Sequence, residues 1–188
     1  MKSKSTLITV TIAASLAAAL GLAISAAQNQ DKYTLKVEGG LAFSEFRGYE
    51  NWELISASQR GETIAVIVGN PEIIKAFKSG IPGNGKPFPD GSKMVKIHWN
   101  SKTAQGVPGS PLMPVSQHDV DLMVKDSKRF PEGHGWGYGS FVIDPATNSF
   151  RPGNTSDKPP QEHDAQCGVE CHEAAQSRDY VFTQLQPK

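Results

Sequence analysis

The sequence predicts a strand-rich fold with many turns rather than a helical bundle, and three observations lead there. Glycine and proline are abundant, 18 and 13 among 188 residues. The apolar segments are short. Several of them alternate with a period of two, the spacing of a strand with one covered face.

At the N-terminus, Lys2 and Lys4 precede an uncharged stretch from Leu7 to Ala27, rich in Ala, Leu and Ile, which Gln28-Asn29-Gln30 stops. This is the layout of an export signal, with Ser25-Ala26-Ala27 as the cleavage site and the cut after Ala27. The stretch approaches the ~20 residues that span a bilayer, so a permanent anchor is the alternative. Ala, Ser and Thr dilute its hydrophobicity, and no stable membrane anchor is expected. Cleavage removes two of the 19 basic residues and none of the 19 acidic ones, leaving residues 28–188 with a net charge of −2. That length suits one domain. With no basic cluster interleaved with aromatics and a slightly acidic balance, no nucleic-acid partner is expected.

Residues 62–69, Glu-Thr-Ile-Ala-Val-Ile-Val-Gly, are rich in β-branched side chains and read as a buried strand. Asn70 then caps a short helix over 71–79 that begins with Pro71 and Glu72 and stops at Gly80. Turns follow at 81–85 and 89–91. Residues 92–99 alternate, with Val95, Ile97 and Trp99 on one face and Met94, Lys96 and His98 on the other. The stretch Ser101 to Pro114 holds Gly106, Pro108, Gly109 and Pro111 and is expected to be a loop. A third strand over 119–125 sets Val120, Leu122 and Val124 against Asp119, Asp121 and Met123. A fourth, over 135–143, carries Trp136, Tyr138 and Ser140 on one face, and its repeated glycines predict a close approach to its backbone. Residues 153–160 read as a linker.

Beyond the linker stand Cys167-Gly168-Val169-Glu170-Cys171-His172. Two cysteines in an exported chain suggest a disulfide, but this one would close a very short loop and gain little chain entropy. Two thiols and an imidazole also suit zinc, although no fourth ligand stands at a sensible spacing. The third reading is covalent haem attachment, in which two thiols form thioethers and the adjacent histidine ligates iron. Its usual signature, Cys-x-x-Cys-His, is one residue shorter than this segment. Spacing alone leaves all three readings open.

The rest of the chain resembles the cytochrome P-460 family, which shares its fold with the cytochromes c′-beta. Five segments carry the resemblance: Asn70-Pro71 after a strand; Phe88-Pro89-Asp90-Gly91-Ser92 leading into Val95-Lys96; Met123 to Phe130; Gly135-Trp136-Gly137; and Cys167 to His172 followed by Asp179-Tyr180-Val181-Phe182-Thr183. Some members carry the longer cysteine spacing. The resemblance implies an α+β fold, mainly an antiparallel β-sheet with a few short helices and a C-terminal haem-attachment segment. It also implies one haem c bound by Cys167, Cys171 and His172, five-coordinate iron, and a homodimer. Lys96 matches the lysine that bonds covalently to the macrocycle. Asp121 matches a distal glutamate that moves protons, with one methylene less. The distal arginine of the best-known members falls on Ala65.

Met94, Met113, Met123, His98, His118, His134 and His163 are possible sixth ligands by type, and none stands out, which favours an open iron position. Iron with an open position meets a small molecule, whereas an electron carrier keeps both axial sites filled. The expected function is therefore a periplasmic oxidoreductase that acts on hydroxylamine or nitric oxide and passes electrons to a partner cytochrome, with Lys96 and Asp121 as catalytic residues. A nitric-oxide-binding cytochrome without turnover and a simple electron carrier are the alternatives.

Overall fold

The computed structural model describes residues 31–36, 40–153 and 167–186. The predicted signal peptide, His163 and all of the predicted linker but Gly153 lie outside the described residues. Among the described residues no helix is long and apolar enough to cross a membrane.

The alternating segments form strands, and each strand pairs with its neighbour in sequence. β1 (Glu53–Arg60), β2 (Thr63–Gly69), β3 (Lys93–Thr103), β4 (Leu112–Lys125), β5 (Trp136–Asp144) and β6 (Ser149–Pro152) make one antiparallel sheet in the order β1-β2-β3-β4-β5-β6. α1 (Pro71–Lys78) links β2 to β3. Asn70 starts it, its side chain accepting from the Ile73 N–H at 3.2 Å and the Lys93 N–H at 2.9 Å while donating to the Gly91 carbonyl at 2.8 Å. One amide thus caps the helix and sews it to the next strand.

The sheet is covered on both faces. On the first, Val95, Ile97, Val120, Leu122 and Val124 meet Leu41 and, from a short 3-10 turn before β1, Phe43 and Phe46. Phe43 contacts the rings of Tyr33, Tyr49, Phe141 and Phe150; burying one such ring contributes about 1.5–3 kcal/mol. On the second face, Met94, Met123, Trp136 and Tyr138 meet Ile73 and Ile74 of α1, Phe88, and Tyr180 and Val181 of the C-terminal segment. The expected close approach to the fourth strand occurs at Gly137, where an added Cβ would lie 2.4 Å from the Phe130 ring.

The predicted loop from Ser101 to Pro114 is a correction. β3 runs on to Thr103 and β4 starts at Leu112, pairing Ser101 with Pro114 and Thr103 with Leu112. Only residues 104–111 turn, with Gly106 and Gly109 at positive φ. Pro114 is tolerated because β5 pairs with β4 only from Asp119 onward, so β4 is an edge there and needs no N–H. β1 and β6, which no sequence pattern marked, are the outer strands.

A buried ion pair fastens the C-terminal segment to the second face. Lys125, 5% exposed, donates to Asp179 Oδ1 at 2.8 Å and to the His134 carbonyl at 3.1 Å. Asp179 Oδ2 accepts from the Phe88 N–H at 2.7 Å, and its carbonyl accepts from Trp136 Nε1 at 2.9 Å. Asp179→Ala strands a buried ammonium and is expected to cost about 3–5 kcal/mol in urea unfolding.

Candidate haem site

Because the pleat is regular through the middle of β2 to β5, the register lines side chains up in rows across the second face. Ile67, Lys96, Asp121 and Ser140 form one row. Gly69, Met94, Met123 and Tyr138 form the row on one side of it, and Ala65, His98, Asp119 and Val142 the row on the other. Lys96 and Asp121 are therefore direct cross-strand neighbours on the face that the alternation predicts.

Residues 167–172 are helical and run into a 3-10 helix, Glu173–Arg178. Cys167 and Cys171 stand four residues apart in that helix, on one side and a turn apart. Both are exposed, and no disulfide joins them. The helix sits close on β5: a Cβ on Gly168 would lie 2.4 Å from Cγ of Tyr138, so glycine there permits the approach. His172 follows, its ring 4.8 Å from Tyr138 and 5.0 Å from Phe182.

The orientation of His172 is set by the backbone. Its Nδ1 lies 2.5 Å from the Tyr180 carbonyl oxygen. A carbonyl only accepts, so Nδ1 carries the proton and Nε2 keeps the lone pair that a metal requires. Asp179 (φ 49°) and Tyr180 (φ 64°) are both left-handed, a conformation that costs about 1–2 kcal/mol for each non-glycine residue. The Lys125–Asp179 clamp and the stacking of His134 on Tyr180 at 4.2 Å hold this turn in place. Burial lowers the pKa of His172 against the opposing effect of the Tyr180 carbonyl, which favours the neutral, ligating imidazole.

Between this segment and the sheet lies a cavity of about 180 Å³, lined by Ile67, Met94, Lys96, Asp121, Met123, Tyr138, His172 and Phe182 among others. The structure thus brings Lys96, Asp121 and His172 to one cavity, with Cys167 and Cys171 on the helix that carries His172. Of the possible sixth ligands, Met94 and Met123 are the described ones that line it. Met113 and His118 are exposed, His134 pairs with Glu173 at 2.7 Å, and His98 pairs with Asp119. Trp136 is a core residue tied to Asp179. Sequence reasoning missed Lys125, Asp179 and the Tyr180 carbonyl, although the string Asp179-Tyr180-Val181 was in view; a backbone acceptor leaves no side-chain signature.

This donor set fits a haem. The cavity walls are largely apolar, one imidazole offers its Nε2, and two thiols lie a turn apart beside it, the types that covalent attachment uses.

Asp121 is the least comfortable charge in the site. Burial raises its carboxyl above the ordinary range, and Asp119 raises it further, against weaker opposition from His98, Ser140 and Lys96. The folded chain therefore holds this proton at pH values where the unfolded chain has released it, so stability falls as pH rises from 3.8 through the raised pKa. Asp121→Asn removes that penalty. Its melting temperature is expected to exceed that of the unsubstituted chain, both haem-free, at pH 7, and the gain to vanish near pH 4.

Residues 46–183 match the family model for cytochrome P460. No curated protein matches the chain. The match covers all six strands, the cavity and the Cys167–His172 segment, and with it the chain belongs to the cytochrome P460 family and is a haem-binding cytochrome.

Proposed function

We propose that the chain is an exported mono-haem c-type cytochrome that oxidises a small nitrogen species, hydroxylamine or nitric oxide, and passes the electrons to a partner cytochrome, working as a homodimer in the periplasm. Cys167 and Cys171 would hold the haem through thioether bonds, and His172 Nε2 would ligate its iron. The observation that carries the reading is that a neutral imidazole, a lysine and a carboxylate of raised pKa, far apart in sequence, line one cavity.

Bound haem would supply the redox-active iron that takes the substrate's electrons. The residues supply the rest. Tyr180 holds the imidazole through Nδ1. Lys96 Nζ would bond a carbon of the macrocycle as a second link, one N–H and one C–H hydrogen being lost to a two-electron oxidant such as peroxide. Asp121, ionised, accepts a proton from the bound substrate at its carboxylate, and its raised pKa makes it a better base than an ordinary aspartate at neutral pH. Tyr138 and Phe182 pack their rings against His172 and fix its plane.

Expression with a cytochrome c maturation system tests the assignment. Haem is expected to stay with the denatured chain in electrophoresis and to be lost when both cysteines are replaced by serine. Lys96→Met is expected to give an ordinary c-type Soret band and one fewer protein–haem bond by mass. Asp121→Asn is expected to leave the haem spectrum intact while lowering hydroxylamine oxidation about 100-fold. It also removes an acid limb of the pH profile that lies above the usual carboxylate range. A chain that retains no haem on denaturation would overturn the attachment. Nitric oxide binding without hydroxylamine turnover would make the protein a gas-binding cytochrome.

A further inference from the structure

Beside the cavity, on the next row of the same sheet face, two carboxylates converge on one imidazole nitrogen. His98 Nδ1 is hydrogen-bonded to Asp119 Oδ1 and lies 3.8 Å from Asp121 Oδ2. Asp119 Oδ2 in turn meets His118 Nδ1 at 2.8 Å. One donor atom each from His98, Asp119 and Asp121 falls within 4.8 Å of the other two.

That arrangement leaves one carboxylate without the imidazole's hydrogen bond. A ring nitrogen carries one proton, so Nδ1 can serve Asp119 or Asp121 but not both. It serves Asp119. Burial pushes the Asp119 carboxyl up, but the hydrogen bonds and charge of His98 and His118 outweigh it and hold the carboxyl below its usual range. Asp121 is left facing a like charge two residues along the same strand, with Lys96 and Ser140 as its cross-strand neighbours.

We propose that His98, Asp119 and Asp121 bind a divalent first-row transition metal of the zinc type at the rim of the cavity. Mixed imidazole and carboxylate donors suit zinc, nickel or copper, whereas magnesium and calcium take oxygen ligands. Metal bonds of about 2.0–2.2 Å set neighbouring donors roughly 3–4 Å apart. The His98–Asp121 spacing already lies in that range, and His98 and Asp119 reach it by opening their hydrogen bond. Binding at Nδ1 leaves the ring proton on Nε2 and gives both carboxylates a shared cation. It also recruits Asp121 away from the cavity, so the metal would oppose any proton transfer there.

The proposal is independent of what the haem does, and its test reads the metal alone. Tag-free holoprotein is titrated with zinc by calorimetry at pH 7. One zinc per chain is expected, and His98→Ala and Asp119→Asn are each expected to weaken binding at least ~10-fold. Anomalous diffraction at the zinc edge serves should a substituted chain fail to fold, and is expected to show a peak between His98 and Asp119. Absence of saturable binding, binding unchanged by both substitutions, or a peak elsewhere would show an ion-pair network only and overturn the proposal.

Discussion

Lys125 and Asp179 meet inside the protein, and most of what makes the cavity a site follows from their pairing. A buried ammonium is tolerable only with a counter-charge and acceptors for its remaining protons, and here Asp179 and the His134 carbonyl provide them. Asp179 also receives the Phe88 N–H and the Trp136 indole, so β4, β5, the turn before β3 and the C-terminal segment all converge on one residue. Such a pair contributes little net stability against well-packed apolar residues. Its contribution is uniqueness, because only one placement of the C-terminal segment satisfies every partner.

From that fixed point the geometry passes along the chain. Two consecutive left-handed residues, Asp179 and Tyr180, turn the Tyr180 carbonyl onto His172. The strained turn persists because its neighbours over-determine it, with Asp179 clamped and Tyr180 stacked under His134. The imidazole is thereby held in one tautomer with Nε2 available, before any metal arrives. Gly168 lets the same helix lie directly on Tyr138, which brings Cys167 and Cys171 to the cavity's side of the sheet.

The opposite wall is built by a different rule. An antiparallel register with intact pleat aligns every second residue into rows, and the Ile67-Lys96-Asp121-Ser140 row places an amine and a carboxylate side by side facing His172. In the neighbouring row Asp119 is held by two imidazoles, His98 across the strands and His118 next to it in sequence. Two aspartates on one strand thus acquire opposite characters, one held ionised and the other pushed toward its neutral form. Their side chains are identical. The difference lies in which partners each row offers.

Much of this wall was legible from the amino-acid order. Period-two alternation in residues 92–99 and 119–125 assigned Lys96 and Asp121 to the face opposite the Val and Ile residues, and the Cys167–His172 string with four other segments identified the family. The hairpin arms at 101–103 and 112–114 were not legible, since glycine and proline mark a turn without saying how far the edge strands reach into it. The polar β1 likewise forms because β2 offers it a free edge. Tertiary structure alone decided that the two walls face each other, that Lys125 and Asp179 join them, and that a backbone carbonyl aims His172. Those contacts link residues far apart in sequence, so local propensity carries no trace of them. Their energies come from burial and charge pairing, which exist only once the chain has closed around them.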